Sequence, residues 1–408
     1  MPPSDHDAEV DAALRFLLVP GVGLARLRQL RLACGEFARA LEADPPVVAA
    51  ALRVEPAEAG RILSAARGAG GALEAERAAA ERAGVQFRIL SDADYPELLR
   101  ASPDPPELLF VRGELSADPE PAVAIVGSRR ATAYGCLQAG ALAVALAERG
   151  VAIVSGGARG IDAEAHRGAL RAGGRSIAVL ATGFSNPYPA EHAGLFDSLV
   201  EGGGALLTEQ PSFVTARPDL FPRRNRVIAA LSLVTVVIEA ASRSGALLTA
   251  RIAVDDLSRD AACMPGPVTS PSSAGCHRAI REGWASLVTG ADDVIELLAE
   301  SRTLVMGAQE AADRARAIHR AARPSRAAAK GSSPPSRASR GAATPAPACS
   351  DDAAAILAAV RRLGRAGFDE LERELAWTVP RIATAALELE LRGIVARDAE
   401  GAFRAKSA

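Results

Sequence analysis

The segment VAIVGSRRATAYG at residues 123–135 decides the fold of this chain, because an apolar run passes through a Gly-Ser-Arg turn into a helical pattern. The segment SGGARGIDAEAH at 155–166 repeats the arrangement. A turn that opens a helix collects backbone N–H groups where a phosphate group can bind. The two segments therefore predict two anion-binding turns.

The glycines of these turns have a simpler alternative role, since Gly127, Gly156 and Gly160 also allow a strand to turn sharply into a helix. Arg129 and Arg159 stand in corresponding turns, which favours the anion-binding interpretation. Neither turn continues into the Gly-Lys-Ser/Thr of a Walker A loop, and the spaced glycines of a dinucleotide fingerprint are missing. Hydrolysis of a nucleotide as an energy source is therefore not expected.

Composition limits the architecture and the kind of nucleic-acid site. A chain of 408 residues exceeds one ordinary hydrophobic core, so about two to four domains are expected. Hydrophobic residues make up 49% of the chain and its mean hydropathy is +0.10, which suits large buried cores. The formal net charge of −2 argues against a general polycation, so any nucleic-acid site has to be a local basic patch.

The five cysteines lack the pair spacing of metal ligands, and the Cys276-His277 pair has no second ligand nearby in the sequence. We therefore expect reduced thiols, no metal site and no cofactor. The first residues, MPPSDHDAEV, lack a hydrophobic core segment, and no apolar run approaches the length of a membrane span. A cytoplasmic protein without membrane insertion is expected.

From Gly84 onward, short apolar runs alternate with longer amphipathic stretches, which is typical of βα units and a parallel sheet covered on both faces. Ligands of such sheets bind beyond the carboxyl ends of the strands, where the Gly/Arg turns lie. The predicted strands are 85–90, 122–127, 151–154, 176–180, 205–207, 234–238 and 261–264. The predicted helices lie near 134–149, 161–172, 191–201, 223–231, 245–257 and 275–283.

Two further segments should reach the same edge of the sheet. In FPRRNRVIAAL at 221–231, Arg223 and Arg226 would share a helix face, with Arg224 turned aside. Positive charge at a helix start opposes the helix dipole, and a bound anion would relieve that conflict, which favours phosphate contact over a merely solvated helix start. Phe221 beside these arginines suits base stacking.

The segment VTVVIEAASRSGALLTAR at 234–251 predicts a buried strand that ends at Glu239. The turn Ser242-Arg243-Ser244-Gly245 then opens the next helix, which makes a third candidate anion site. Glu239 is interpreted as a hydrogen-bond acceptor for neighbouring loop amides rather than as a catalytic group.

Catalytic constellations are weak in this sequence. Asp162 and His166 stand at helical spacing and would form an acid–base pair if Ser128 or Ser155 were a nucleophile. A local hydrogen bond at the helix start is the favoured interpretation. The paired carboxylates of metal-assisted phosphodiester cleavage are not evident, so no catalytic residue is assigned.

At these residues the chain resembles the DNA-processing protein A family (DprA, also called Smf) of bacterial transformation. The resemblance covers roughly 84–298 and rests on five motifs in order: AIVGSRRATAYG, SGGARGIDAEAHRGAL, FPRRNRVIAAL, EAASRSGALLTAR and PGPVTSPSSAGCHRAIREG. It implies an extended Rossmann-like α/β domain with a doubly wound, mostly parallel sheet. It also implies binding of single-stranded DNA in a basic pocket, a homodimer, and help in loading RecA recombinase onto incoming strands.

Carried to this chain, the Gly-Ser-Arg signature falls on residues 127–129, the Ala-Arg-Gly-Ile-Asp turn on 158–162 and the Arg-Arg-Asn-Arg helix on 223–226. Gly157 stands where leucine is common, and segments 181–192 and 208–222 also depart from the family pattern. Residue patterns and resemblance together predict a set of DNA-binding residues. These are Gly127, Ser128, Arg129, Gly156, Arg159, Gly160, Phe221, Arg223, Arg224, Asn225, Arg226, Arg243, Ser244 and Gly245.

The rest of the chain predicts three further parts around the Rossmann-like DNA-binding domain at 84–300. Residues 1–83 form a helical (SAM-like) domain, in which FLLVPGVGLARLRQL at 16–30 resembles a helix-hairpin-helix that either contacts DNA or only packs. Residues 301–350 are a disordered basic linker that either adds DNA affinity or acts as a tether. Residues 351–408 suggest a winged helix, also common in the family.

The presumed recognition helix of the winged helix, at 380–392, carries Arg381 and Arg392 but also Glu388 and Glu390. That balance favours a protein-contact or structural module over a DNA reader.

For the whole chain we predict a non-enzymatic mediator that binds single-stranded DNA. The alternatives are a phosphoribohydrolase-like enzyme and a nucleotide sensor of the same fold class; the enzymes place a glutamate three or four residues after the glycine, where this chain has Leu248 and Thr249.

Overall fold

The structure is a computed structural model that describes residues 5–116, 121–303, 351–375, 377, 381–382, 385–386, 389, 394–397 and 402–405. Beyond residue 303, the predicted linker at 301–350 lies outside the described residues. The chain divides into two compact units, Met1–Pro324 and Ser325–Ala408. Among the described residues, no helix is long and apolar enough to cross a bilayer.

A nine-stranded sheet organises the first unit, with strand order β1-β2-β6-β5-β4-β3-β7-β8-β9. Strands β3 to β9 pair in parallel, whereas β2 pairs antiparallel with both β1 and β6. The strands are β1 (Val85–Ile89), β2 (Leu108–Gly113), β3 (Ala122–Val126), β4 (Ala152–Ser155), β5 (Ser176–Val179), β6 (Ala205–Thr208), β7 (Val234–Val237), β8 (Asp260–Cys263) and β9 (Ser286–Leu287).

Helices cover both faces of this sheet and precede it in the chain. The bounds are α1 (Asp5–Leu17), α2 (Leu24–Cys34), α3 (Phe37–Glu42), α4 (Pro45–Leu52), α5 (Pro56–Gly68), α6 (Gly70–Ala83), α7 (Glu97–Arg100), α8 (Ala133–Ala147), α9 (Ile161–Arg171), α10 (Ala193–Glu201), α11 (Leu220–Ala230), α12 (Gly245–Asp255), α13 (Ala274–Arg281) and α14 (291–303). A short 3₁₀ helix, Ala190–His192, precedes α10.

The predicted α/β class and the mostly parallel sheet are confirmed. Every residue of β3 through β7 is buried, as expected for strands with helices on both sides, and these apolar runs are the ones that the sequence reveals. Two strands of the sheet are not predicted by the sequence pattern. β2 is a short apolar run whose periodicity does not distinguish a strand from a helix, and β9 has only two residues, both exposed, which are too few to form a pattern.

The topology contains one switch point, at β3. Its neighbour β4 follows it directly in sequence, whereas its other neighbour, β7, comes after the chain has built β5 and β6 on the β4 side. In open α/β sheets, ligands bind in the crevice beyond the carboxyl ends of the strands at such a point. The turns that follow β3 and β7 therefore mark the place where a ligand site is expected.

The helical segment α1–α6 agrees with the predicted helical region and shares its core with the sheet. Its buried side chains form one cluster with residues of β1 and β2, where the Phe87 and Phe110 rings meet edge to face with centroids 5.2 Å apart. Arg77 of α6 lies over the Phe87 ring at 5.2 Å. The helical segment and the sheet therefore belong to the same compact unit, Met1–Pro324.

The hairpin formed by α1 and α2 turns at Gly21, whose φ of +88° suits glycine. Val19 and Val22 of the turn are buried. Each arginine of α2 forms an ion pair with another segment: Arg26 with Glu58, Arg28 with Asp104 and Arg31 with Glu9. These pairs favour the packing role of the hairpin, and a DNA contact there stays a prediction.

A buried carboxylate fastens α6 to the loop after β6. Glu76 is fully buried and accepts hydrogen bonds from the Ser212 backbone N–H at 2.9 Å and the Ser212 hydroxyl at 2.6 Å. We expect Glu76→Ala to lower the free energy of unfolding by about 2 kcal/mol, because both Ser212 donors lose a charged acceptor. Urea denaturation followed by circular dichroism measures this. Glu74→Ala, an exposed site on the same helix, should change it by less than about 0.5 kcal/mol; equal effects would contradict the assignment.

The second unit, described by itself, contains α15 (Asp351–Leu363), α16 (Phe368–Leu375) and a hairpin of β10 (Val395–Arg397) with β11 (Phe403–Ala405). An isolated bridge joins Ala366 to Phe403. Much of the presumed recognition helix at 380–392 lies outside the described residues, so the winged helix stays a prediction. Arg381, which is described, donates two hydrogen bonds to the Asp352 carboxylate.

Candidate nucleic-acid interface

A cavity of about 370 Å³ lies at the switch point between β3 and β7. Four segments form it: the turn after β3, the turn after β4 with the start of α9, the turn after β7 with the start of α12, and α11. Nine of the predicted DNA-binding residues line it, namely Gly127, Ser128, Arg129, Phe221, Arg224, Asn225, Arg243, Ser244 and Gly245. The fold therefore brings together residues that lie far apart in the sequence.

The turn after β3 is fixed by its own backbone and presents Arg129. The Ser128 N–H donates to the Glu239 carbonyl at 2.8 Å, and the Ser128 hydroxyl accepts from the Arg130 N–H at 3.2 Å. The Arg129 guanidinium lies over the Phe221 ring, 4.5 Å from its centroid. The guanidinium and the aromatic ring are thus stacked on each other in the cavity wall.

The turn after β7 supplies the start of α12. The Ser244 hydroxyl caps this helix by accepting from the Ala246 N–H at 3.2 Å. Arg243 is exposed, and Leu248, 42% exposed, adds apolar surface to the cavity. The positive end of the α12 dipole and the Arg243 charge therefore reach the same cavity.

The Glu239 carboxylate has the structural role expected of it. It is buried and accepts from the Thr132 N–H at 2.9 Å and the Thr132 hydroxyl at 2.6 Å. Thr132 in turn caps α8 by accepting from the Gly135 N–H at 3.1 Å. Glu239 thus holds the first turn of α8 in place.

The turn after β4 differs from the predicted anion site. One oxygen of the buried Asp162 carboxylate accepts from the backbone N–H groups of Gly156, at 3.1 Å, and Ala158, at 3.4 Å. Burial raises the pKa of Asp162, and the neighbouring Arg224 charge opposes that rise. Two amides that a phosphate would need are therefore occupied by the protein's own carboxylate. The favoured helix-start hydrogen bond between Asp162 and His166 is wrong, because the Asp162 carboxylate accepts from these amides and His166 faces Ser176.

Arg224 is a buried arginine that ties two strand ends together. Its Nη1 donates to the Gly156 carbonyl at 2.6 Å and to the Val179 carbonyl. Burial lowers its pKa to about 10, so the group remains charged at neutral pH. A Cβ atom at Gly156 would lie 2.6 Å from the guanidinium, so only glycine allows this approach. Arg224 therefore lines the cavity as a structural residue that holds the strand ends in place.

The net charge of the cavity wall is positive. Three guanidinium groups line it, those of Arg129, Arg224 and Arg243, against one carboxylate, that of Asp162. Because Arg224 and Asp162 are buried next to each other, they largely offset one another. Arg129 and Arg243, both exposed, are the charges available to an incoming anion.

Arg223 and Arg226 lie outside the residues that line the cavity. Arg223 is exposed. Arg226 donates to the Glu209 carboxylate at 2.5 Å and to the Asp104 carbonyl at 2.6 Å, and it also pairs with the Asp104 carboxylate at 3.1 Å. A phosphate at Arg226 would have to displace these partners, so its predicted DNA contact has no support from this geometry.

Gly156, Arg159 and Gly160 also lie outside the cavity lining. Gly160 has a φ of +76°, and a Cβ there would lie 2.3 Å from the Ser128 carbonyl oxygen, so it allows the turns after β3 and β4 to touch. Arg159 contacts the Tyr188 ring, with 5.6 Å between guanidinium carbon and centroid. Tyr188 also meets Phe221 edge to face at 5.6 Å. The sequence analysis missed Tyr188, since no local pattern links it to Phe221.

His166 does not pair with Asp162. It is fully buried, its Nδ1 lies 2.8 Å from the Ser176 hydroxyl, and that hydroxyl donates to the Ile153 carbonyl. Since the Ser176 proton is used there, His166 donates from Nδ1 and is neutral. Ser155 is likewise buried and donates to the Ile125 carbonyl at 2.6 Å. The alternative acid–base arrangement of the sequence analysis is therefore not assembled.

Burial lowers the pKa of His166 to about 3, which makes the fold sensitive to acid. Between that value and the ordinary histidine pKa of about 6.5, the unfolded chain binds the extra proton, so stability falls as pH falls. His166→Asn keeps a donor for Ser176 and serves as the reference. Relative to it, we expect the free energy of unfolding of the natural chain to fall by about 1.4 kcal/mol between about pH 7.5 and about pH 5.5. Urea denaturation at the two pH values measures this.

Glu107 has the opposite effect on the pH dependence of stability. Because the natural chain and His166→Asn both contain Glu107, its effect cancels when the two are compared. Burial raises the pKa of Glu107 to about 7, so its contribution to stability is lost as pH rises through that value. A stability difference between the two chains that does not change with pH would contradict the assignment of His166 as a buried neutral group.

Among the described residues, no cluster of three or more His, Cys, Asp or Glu side chains suits a metal ion. Cys263 and Cys276 are buried free thiols, and Cys34 and Cys136 are partly buried free thiols. His277, the neighbour of Cys276, lies with its Nε2 3.1 Å from the Gly266 carbonyl oxygen. The Cys276-His277 pair therefore has no partner that would make it a metal site within this part of the chain.

Comparison with known proteins places these features in a family context. The family model described as DNA recombination-mediator protein A matches residues 86–299. The putative DNA processing protein DprA of Mycobacterium tuberculosis is 42% identical over 283 residues, which cover 65% of this chain and 71% of that protein. Protein Smf of Escherichia coli is 47% identical over 204 residues, 50% of this chain and 54% of that protein.

Among solved structures, the X-ray structure of DNA processing protein A (DprA) from Streptococcus pneumoniae matches with a TM-score of 0.61 and 30% sequence identity. The match covers 72% of this chain and 98% of that chain. The family match spans all nine strands apart from the first residue of β1, and it contains every residue that lines the cavity.

Proposed function

The chain belongs to the DNA recombination-mediator protein A family, and on that premise we propose that it binds single-stranded DNA in the switch-point cavity. The observation that carries the proposal is the Arg129 guanidinium stacked on Phe221, 4.5 Å from the ring centroid, in a cavity with a positive wall. A guanidinium offers a phosphate contact, and an aromatic face offers a stacking surface to any base. Binding is therefore electrostatic and largely independent of sequence.

We propose that the protein binds DNA without catalysing a reaction on it. The carboxylate in the cavity wall, Asp162, is buried and engaged by two backbone N–H groups. Glu239 is engaged by Thr132. Neither carboxylate is placed as a free general acid or base, and Leu248 and Thr249 occupy the positions at which a phosphoribohydrolase-like enzyme carries its glutamate. These observations support a binding protein over the enzyme alternative.

The proposed partners follow from family membership. We propose that the protein forms a homodimer in the cytoplasm, protects incoming single strands during natural transformation, and helps load RecA recombinase onto them. The family description as a DNA recombination mediator supports a role in recombination.

Fluorescence anisotropy of labelled oligo-dT tests the function. The natural chain should bind tightly, with an affinity that falls as salt rises, because phosphate contacts release counterions. Unlabelled duplex and mononucleotides should compete poorly. Affinity that does not change with salt would contradict the mechanism, and effective competition by a mononucleotide would favour the sensor or enzyme alternative.

A further inference from the structure

A row of alternating arginine and aromatic side chains leads out of the switch-point cavity. Arg129 lies over Phe221, Phe221 meets the Tyr188 ring edge to face at 5.6 Å, and Arg159 lies over Tyr188 at 5.6 Å. Only the first two of these four residues line the cavity. The row thus continues the pairing of cation and ring beyond the cavity itself.

The row lies at the ends of three neighbouring strands of the sheet. Arg129 follows β3, Arg159 follows β4 and Tyr188 follows β5, and these three strands are consecutive neighbours in the sheet. The row therefore lies along the carboxyl edge of the sheet, at the ends of β3, β4 and β5, on the side of β3 opposite to β7. Phe213, on the loop after the next strand, β6, is 54% exposed.

Hydrogen bonds join the loop that carries Tyr188 to the loop that carries Phe213. The Asn186 side chain donates to the Phe213 carbonyl at 3.1 Å, and the Ser185 N–H donates to the Ser212 carbonyl at 2.9 Å. Two loops that present aromatic rings at the same edge are thus fixed to each other. An exposed aromatic ring at the edge of a cationic site suits the stacking of a further base.

We propose that Tyr188, with Arg159 beside it, is a second stacking platform, over which a single strand continues after leaving the switch-point cavity. This inference rests on the proposed function and extends the site to its neighbouring nucleotides. Beyond the nucleotide bound in the switch-point cavity, the ligand of the platform is the next nucleotide of the strand. Arg159 contacts the phosphate of that nucleotide.

Glu191 holds Arg159 in the free protein. The Arg159 Nε donates to the Glu191 carboxylate at 2.5 Å, and both side chains are about half exposed, at 50% and 53%. An exposed ion pair contributes little stability, so a phosphate can replace the carboxylate. Glu191 therefore opposes binding at this platform, and its removal should strengthen binding while removal of Tyr188 weakens it.

The test compares oligo-dT of about 4 and about 16 nucleotides, which span the site sizes of single-strand-binding folds. Tyr188→Leu, which keeps apolar volume against Phe221, should weaken binding of the long strand about fivefold and of the short strand much less. Tyr188→Phe keeps the ring and loses only the long hydrogen bond, 3.4 Å, that Arg159 donates to the Tyr188 hydroxyl, so its affinity for both strands should stay within about threefold of the natural chain. Glu191→Gln should tighten binding of the long strand and steepen its salt dependence.

The outcomes separate this inference from the proposed function. If the natural chain binds both strands and neither Tyr188→Leu nor Glu191→Gln changes the affinity for the long strand, the second platform is wrong and the proposed function stands. An equal loss for the short and the long strand in Tyr188→Leu would also overturn the platform, because it would show that Tyr188 acts only through Phe221. If the natural chain binds neither strand, the proposed function fails as well.

Discussion

Arg129→Ala should weaken the binding of single-stranded DNA by about 10- to 100-fold, which is the expected loss of a hydrogen bond to a charged group. Arg129 is exposed, lines the cavity and lies over Phe221, so its removal takes away both a phosphate contact and the cation beside the stacking ring. All base sequences should lose affinity alike. The slope of log affinity against log salt should flatten by about 0.7, the value for one phosphate contact on a single strand.

Arg130→Ala is the matched control, because Arg130 is the next residue, is also exposed and lies outside the cavity lining. It removes the same formal charge from the same turn. We expect it to change affinity by less than about threefold, since its charge acts only at longer range. Equal losses in the two variants would mean that DNA responds to general charge near the turn, and the assignment of Arg129 to a phosphate would be wrong.

Arg224→Met should lower the free energy of unfolding by about 3 kcal/mol, because it leaves the buried Asp162 carboxylate without its neighbouring cation. The same change removes the donors to the Gly156 and Val179 carbonyls at the ends of β4 and β5. Urea denaturation followed by circular dichroism measures the loss. DNA binding should weaken too, because the cavity wall loses part of its frame.

Two further variants give the Arg224 experiment its controls. Arg223 is one residue earlier and exposed, so the free energy of unfolding of Arg223→Met should stay within about 0.5 kcal/mol of that of the natural chain. Adding Asp162→Asn to Arg224→Met should recover part of the loss, because it removes the uncompensated charge. If Arg224→Met is as stable as Arg223→Met, Arg224 does not frame the site.

The sequence predicts the sheet well where burial is complete. The runs that became β3 to β8 are apolar because helices cover both faces, and a pattern of that kind follows directly from local composition. The turns after β3 and β7 were likewise expected at the carboxyl edge, and they do meet at the switch point. Strand order and the antiparallel β2 depend on long-range pairing, which a local pattern does not encode.

The roles of individual arginines and amides were harder to predict. The sequence analysis grouped Arg224 and Arg226 as DNA contacts, but one holds strand ends and the other pairs with Glu209 and Asp104. The turn after β4 looked like the turn after β3, yet Asp162 occupies its amides. The role of each arginine depends on a carbonyl or carboxylate from another part of the fold. The role of the turn after β4 depends on the direction of the Asp162 side chain. Helical spacing alone reveals neither.

Photo-crosslinking of bromodeoxyuridine-substituted single strands, with the attached peptides identified by mass spectrometry, locates the DNA on the protein surface. If DNA binds against Phe221 at the switch point, the main crosslinked peptide contains Phe221 and its yield falls in Arg129→Ala. Crosslinks confined to residues 1–83 or 351–408, with none at the carboxyl edge of the sheet, would contradict it.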